Sequence, residues 1–115
     1  MSKREWKLFL EDILESMSLI EEYVKGMSFD DFKEDRKTID AVVRNFEIIG
    51  EAAKNIPENI RNNYKNIDWI GIIGLRNRIS HEYFGVDFSI IWNIVELELS
   101  VLKKEIQNIQ EKTKS

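Results

Sequence analysis

The stretch from Trp69 to Asp87, WIGIIGLRNRISHEYFGVD, organises the fold that we predict for this chain. On a helix that turns about 100° per residue, its first apolar side chains fall on one line with Arg76. A guanidinium keeps its charge, and burying it without a partner is costly. Arg76 therefore needs a carboxylate, a phosphate or a water-filled cleft to face, which makes this stretch a candidate site.

His81 is the only histidine in the chain, and it follows Arg76 by five positions. On a regular helix the two side chains would lie about 140° apart and could not meet. The helix can end near Ser80, since Gly85 tolerates a turn and Asp87 can cap a following helix. Alternatively, a two-fold dimer can bring two copies of the stretch together. These two arrangements are compatible.

Four residues of this stretch, Arg76, Asn77, His81 and Tyr83, form the pattern Arg-polar-x-x-x-His-x-Tyr. This pattern resembles the signature of HEPN domains, in the form found in HepT-like toxins. The upstream block DAVVRNFEIIGEAAK, residues 40–54, is similar to the same family. The resemblance covers nearly all of the chain. It implies an all-α, up-and-down four-helix bundle with additional short helical segments.

The length predicts a single domain spanning residues 1–115, because 115 residues can bury one core, and the resemblance implies that this domain is HEPN-like and helical. One proline, five glycines and 33% charged residues are typical of a helical globular protein. Without cysteine, and with a single histidine, we expect no disulfide, no metal site within one chain and no cofactor. No signal-like or membrane-spanning apolar run is evident, which predicts a cytoplasmic protein without membrane association.

The formal net charge is −4, so nucleic-acid binding would need a local basic patch. Basic residues outnumber acidic ones between positions 54 and 81, so such a patch is conceivable there. Among the charged residues of positions 5–22, acidic ones dominate. The basic residues are Lys54, Arg61, Lys65, Arg76 and Arg78. The alternative interpretation is that these are ordinary solvated helix faces.

Apolar residues spaced four and three apart predict two long helices, from Lys3 to Lys25 and from Asp35 to Asn55. Gly26 is a plausible stop for the first helix, and Ser28 can cap a short helical turn. Gly50 lies among small residues and would allow another backbone to approach closely. Equally, it can be a glycine that the helix merely tolerates.

Pro57 fits the first position of a short helix that runs to Tyr64. Asp68 can cap the helix that carries Arg76. No run rich in Val or Thr alternates with polar residues, so we predict no sheet.

The last helix, predicted from Phe88 to about Glu111, carries two apolar stripes on roughly opposite sides. We interpret the second stripe as a dimer contact or as a seat for the short helices. The first stripe comprises Phe88, Trp92, Val95, Leu99, Leu102, Ile106 and Ile109, and the second comprises Ile90, Ile94, Leu97 and Val101.

A histidine beside an arginine suits metal-independent cleavage of RNA, in which the 2′-hydroxyl is the nucleophile. One histidine per chain is limiting, because the reaction needs both an acid and a base, and a dimer would supply two. The resemblance implies such a homodimer, with both copies of the motif in a composite cleft. It further implies that Arg76 binds the scissile phosphate, that His81 acts as acid or base, and that Asn77 orients His81 or the phosphate.

For Tyr83 the resemblance implies a modification. HepT-like toxins are paired with an MNT-type nucleotidyltransferase antitoxin that adenylylates the tyrosine at this position. An anionic nucleotide two residues from His81 would block RNA by bulk and by charge. The resemblance also suggests transfer RNA or messenger RNA as the substrate.

Three other interpretations remain open at this point. The chain could be a non-catalytic module that binds a nucleotide or a partner nucleotidyltransferase, or a purely structural dimerisation unit. Glu47 and Glu51, one helical turn apart, could serve a carboxylate hydrolase or pair with Arg76. His81 could simply cap a helix end.

Overall fold

The part of the chain that the structure describes is all-α, which confirms the predicted fold class. This computed structural model describes residues 3–75, 77–79 and 88–114. Leu75 and residues 77–79 are helical. None of the described helices is both long enough and apolar enough to span a bilayer. The other elements are α1 (Lys3–Val24), α2 (Phe29–Lys33), α3 (Arg36–Lys54), α4 (Glu58–Asn62), α5 (Trp69–Ile73), α6 (Ser89–Asn93), a π-helical turn (Ile94–Glu98) and α7 (Leu99–Lys112).

Helices α1 and α3 form the central pair of the bundle. Each buries apolar residues of the seam predicted from its sequence, and each Val, Leu, Ile, Phe or Met side chain among them stabilises the fold by about 1.5–3 kcal/mol when it leaves water. Because the spacing alternates between four and three residues, the buried side chains of each helix lie on one face, and these two faces pack together. The buried members are Trp6, Leu10, Ile13, Met17 and Ile20 of α1 and Ile39, Val42, Phe46, Ile49 and Ala53 of α3.

Caps fix the ends of these helices. Gly26 follows α1 with a φ of 79°, a conformation that glycine adopts without strain, so the predicted stop is confirmed. The Ser28 hydroxyl accepts a hydrogen bond from the Asp31 amide at 3.1 Å, and the Asp31 carboxylate accepts one from the Ser28 amide. Asp35 caps α3, since its carboxylate accepts the Thr38 amide hydrogen bond at 3.1 Å. This bond lowers the pKa of Asp35 below its ordinary value.

A close backbone contact places α5 on α3. A Cβ atom on Gly50 would lie 3.2 Å from the Ile72 carbonyl oxygen and 3.3 Å from that of Ile73. The predicted close approach at this glycine is therefore confirmed. Asp68 caps α5, because its carboxylate accepts the Gly71 amide hydrogen bond at 3.0 Å, but α5 ends at Ile73 and does not extend to Arg76 as predicted. The contact fixes the distance between α3 and the segment that leads into the candidate site.

The short helix after Pro57 differs slightly from its prediction. Pro57 lies at the N-cap position, and α4 covers only Glu58–Asn62 instead of reaching Tyr64. Trp69 packs below this segment and donates an indole hydrogen bond to the Tyr64 carbonyl at 3.1 Å. The connection is thus held by a core aromatic residue.

The prediction of one regular helix from Phe88 to Glu111 is wrong at its centre. The amide of Leu99 donates to the carbonyl of Ile94, five residues back, as in a π-helix. Both residues are buried, although an α-helix would place them about 140° apart. The buried face therefore crosses from the second predicted stripe, at Ile94, to the first, at Leu99.

Three contacts fasten the last helix to the first half of the chain. The Trp92 ring lies 5.0 Å from the Phe32 ring, which anchors α6 to α2. The Lys103 ammonium lies 2.6 Å from the Glu21 carboxylate. At the other end of α7, the Lys7 ammonium donates to the Thr113 carbonyl at 2.6 Å. The last helix thus runs antiparallel to α1.

Candidate functional site

Asn77 is the one predicted site residue within the described part of the chain, and its side chain is exposed on a helical turn. Exposure leaves the amide accessible to a ligand, as the predicted supporting role requires. The predictions for Arg76, His81 and Tyr83, for the helix end near Ser80 and for the turn at Gly85 lie outside the described residues.

The turn that carries Asn77 is attached to the core by its apolar neighbours. Leu75 and Ile79 are both buried and lie one helical turn apart. The Arg78 amide donates to the Gly74 carbonyl at 2.9 Å, a hydrogen bond of the α-helical type. Because the apolar face points inward, Asn77 and Arg78 are presented to solvent.

Arg78 pairs with a residue that sequence reasoning missed. Its Nη2 atom lies 3.1 Å from the Oε2 atom of Glu98, and the two side chains are 45% and 50% exposed. Glu98 is the last residue of the π-helical turn. The sequence carries no local signal for this pair, because a constant helical period does not reveal the wider turn between Ile94 and Leu99.

An apolar cavity of about 230 Å³ lies between α3, α5 and the last helix. This volume exceeds the ~150 Å³ of a dry cavity that accepts benzene, so it can hold a bulky apolar side chain. The carboxylates of Asp68, Glu98 and Glu105 also line it. The apolar lining comprises Phe46, Ile49, Ile72, Leu75, Ile94, Leu97, Leu99, Val101 and Leu102.

The second predicted stripe of the last helix is divided between the core and the surface. Ile94 is 3% exposed and packs inside, as a seat for the short helices requires. Leu97 and Val101 are 71% and 57% exposed and line the same cavity. A protruding leucine beside an apolar cavity is a surface that a second apolar surface can cover.

The predicted basic patch is only partly available to a ligand. Arg61 is half-buried and donates from Nε to the Ile56 carbonyl at 3.0 Å, which ties it to the end of α3. Lys54 and Lys65 are exposed. Lys65 and Arg61 line a shallow groove that also contains the acidic residue Glu58.

The carboxylates Glu47 and Glu51 line a different groove, between α1 and α3. Glu47 lies 3.7 Å from Arg44, one helical turn away. The groove on this side of α3 is thus separate from the cavity beside Leu75, which faces Phe46 and Ile49.

Taken together, the described helices form an all-α bundle of the HEPN kind, in which a short exposed turn is set against the last helix. A family model described as "Ribonuclease HepT-like" matches residues 13–109. The chain therefore belongs to the HepT-like ribonuclease family.

Curated relatives support this membership. "Putative RNase MJ0127" of Methanocaldococcus jannaschii is 44% identical over 109 residues, which are 95% of this chain and 90% of that protein. "Probable ribonuclease HepT" of Thermococcus cleftensis is 41% identical over 94% of this chain and 98% of its own. "Gamma-glutamylcyclotransferase and putative RNase MJ0434" of M. jannaschii is 42% identical, and the match covers 95% of this chain but 49% of that longer protein. No solved structure matches the chain.

Proposed function

We propose that this protein is the endoribonuclease toxin of a HEPN/MNT toxin–antitoxin system and cleaves RNA without a metal ion in a cleft shared by two copies. The observation that carries the proposal is the Arg76-Asn77-x-x-x-His81-x-Tyr83 pattern within a match to a ribonuclease family. Relatives named as RNases at 41–44% identity support ribonuclease activity for this chain.

The reaction that suits these residues is transfer of the phosphate to the neighbouring 2′-hydroxyl. His81 of one copy removes the hydroxyl proton, the 2′-oxygen bonds to phosphorus, and the bond to the 5′-oxygen breaks. His81 of the second copy gives a proton to that leaving oxygen. Arg76 stabilises the charge that develops on the phosphate oxygens. Asn77, exposed beside Arg76 in the sequence, orients the imidazole or the phosphate.

The surface around Leu97 and Val101 supports the homodimer. One face carries both protruding apolar side chains and the cavity that they line. Such a face is self-complementary about a two-fold axis, because each copy can supply a side chain and receive one. Leu97→Lys is expected to give a monomer in light scattering and to lose cleavage. A monomeric wild-type protein that still cuts RNA would contradict the composite cleft.

An MNT-type nucleotidyltransferase antitoxin is the proposed partner, with Tyr83 as the acceptor of AMP. Mass spectrometry of protein made with and without the neighbouring nucleotidyltransferase would detect added AMP. Tyr83→Phe should remove the added mass and keep cleavage active in the presence of the antitoxin. Persistent modification of Tyr83→Phe would place the acceptor elsewhere.

The decisive test compares wild type with His81→Ala on transfer RNA and messenger RNA in the presence of a chelator. We expect wild type to cut and His81→Ala to lose about 10²–10⁴-fold in rate, the usual contribution of general acid–base catalysis. Arg44→Gln, an exposed arginine on another groove, is the control and should keep full activity. A wild-type protein that binds the nucleotidyltransferase but cuts no RNA would instead indicate the non-catalytic binding module.

A further inference from the structure

Arg78 lies within the Arg76-to-Tyr83 motif. It is the basic residue of that motif whose surroundings the structure describes. It lies two positions after Arg76 and three before His81. Its neighbours Leu75 and Ile79 hold the turn on the core, while its own side chain is 45% exposed. An arginine whose backbone is held on the core and whose guanidinium is exposed to solvent is well suited to bind an anion.

In the structure, the Glu98 carboxylate forms an ion pair with this guanidinium. The contact joins Nη2 of Arg78 to Oε2 of Glu98 at 3.1 Å, with Glu98 half-exposed. Ion pairs this accessible to water contribute about 0–1 kcal/mol, because the solvent screens them. A ligand phosphate can therefore replace the carboxylate at little cost.

The π-helical turn explains why Glu98 stands at this place. Glu98 directly precedes Leu99, which is buried and bonded to the Ile94 carbonyl five residues back. Two core residues thus fix the turn on both sides of the exposed residues Glu96, Leu97 and Glu98. π-helical turns of this kind occur often at functional sites.

We propose that Arg78 binds a backbone phosphate of the RNA next to the scissile one, and that Glu98 is a competing anion that the RNA displaces. This inference rests on the proposed ribonuclease function and adds to it a second phosphate position and an internal competitor. Glu98 acts through Arg78 by holding the guanidinium ready and by disfavouring weakly bound anions.

The test measures binding of a fluorescent single-stranded RNA oligonucleotide to the His81→Ala protein by anisotropy over a range of salt concentrations. Arg78→Gln is expected to weaken binding about three- to tenfold and to reduce the slope of log affinity against log salt by about 0.7. Glu98→Gln is expected to tighten binding about two- to fivefold. A purely structural ion pair predicts the opposite for Glu98→Gln, namely weaker binding, as for Arg78→Gln.

The double variant shows whether Glu98 works through Arg78. If it does, Glu98→Gln does not tighten RNA binding when Arg78→Gln is already present. An equal gain in RNA affinity with and without Arg78→Gln would mean that Glu98 acts only as a general negative charge, and it would overturn the proposed competition. Two matched controls are Arg44→Gln, from the ion pair with Glu47, and Glu96→Gln, from the same π-helical turn; both should leave affinity unchanged.

The outcomes separate this inference from the proposed function. Cleavage by wild type with unchanged binding in Arg78→Gln would overturn the phosphate site and leave the ribonuclease intact. If wild-type protein without AMP on Tyr83 neither cleaves nor binds RNA, the proposed ribonuclease function is overturned, and the phosphate site with it. Far-UV circular dichroism of each variant checks that the helices are retained.

Discussion

The α1–α3 pair and the last helix bury apolar residues in different ways. In α1 and α3 the seam repeats every four and three residues without interruption, and its members are closed off from water. In the last helix the buried face changes side within one π-helical turn and leaves Leu97 and Val101 on the surface. The regular pair supplies stability, whereas the irregular helix presents side chains that packing alone does not require.

This difference also separates the places where function is expected. Asn77 and Arg78 belong to the short helical segment after α5, and Glu98, which lines the cavity, ends the π-helical turn. Among the residues that the structure describes, the acidic groove between α1 and α3 is lined by side chains of those two helices and of the C-cap of α3, and not by Asn77. A site built beside an irregular turn can be altered without dismantling the seam that holds the fold.

The largest expected effect on stability lies in the regular pair. Leu10→Ala removes a fully buried side chain of α1 and should lower the free energy of unfolding by about 2–5 kcal/mol, because it leaves a cavity. Leu97→Ala, the same change on the last helix, should stay within about 0.5 kcal/mol in protein dilute enough to be monomeric, since that side chain is exposed in a single chain. Urea unfolding measures both, and similar losses would contradict the contrast between the two regions.

Gly50 tests how rigidly the two regions are joined. Gly50→Val would push against the carbonyl oxygens of Ile72 and Ile73 and should cost about 1–3 kcal/mol. Gly50→Ala should cost less than about 1 kcal/mol, because its gain in helix propensity offsets part of the contact. Thermal unfolding with cleavage assays on both variants measures the effect. Equal stability of all three proteins would show that α5 adjusts freely.

Deletion of Glu96 tests whether the irregular turn serves the fold. The deletion leaves Ile94 and Leu99 four positions apart, a spacing that places both on one face of a regular α-helix. We therefore expect stability within about 1 kcal/mol of wild type. Cleavage should fall nonetheless, because the direction of Leu97, the proposed dimer contact, changes. Unfolding of the deletion variant would show that the π-helical turn is needed for folding itself.

The smallest effect is expected at the cap of α3. Asp35→Ala should lower the melting temperature slightly at neutral pH, because the Thr38 amide loses its partner. The pKa of Asp35 is lowered in the folded state, so its contribution is present above the pKa of the unfolded carboxyl and is lost as the pH falls through the folded pKa. Asp35→Asn keeps an acceptor without this titration. A parallel acid dependence of wild type and Asp35→Asn would argue against the cap.

The sequence was sufficient to predict α1 and α3, because apolar residues spaced alternately four and three positions apart all fall on one face of an α-helix. The seam of α1 from Trp6 to Ile20 and the cap at Ser28 were predicted correctly. The close contact at Gly50 is one of the two roles that the sequence left open, and the helix that Asp68 caps ends at Ile73, short of Arg76. The caps depend on hydrogen bonds between residues three positions apart, which the sequence reveals directly.

The irregular region could be predicted only in part. Two apolar stripes on one helix were recognised, but assigning each residue to a stripe assumed a constant turn of about 100°. One wider turn between Ile94 and Leu99 joins the two stripes, and the period of a sequence does not reveal where such a turn falls. For the same reason the pairing of Arg78 with Glu98, 20 positions apart, had no local signal.

The hydrogen bond from Lys7 to the Thr113 carbonyl has a consequence for engineering. It brings the first turns of α1 and the last turn of α7 to one end of the bundle, so a short linker could join them in a circular permutant with new termini near Gly26.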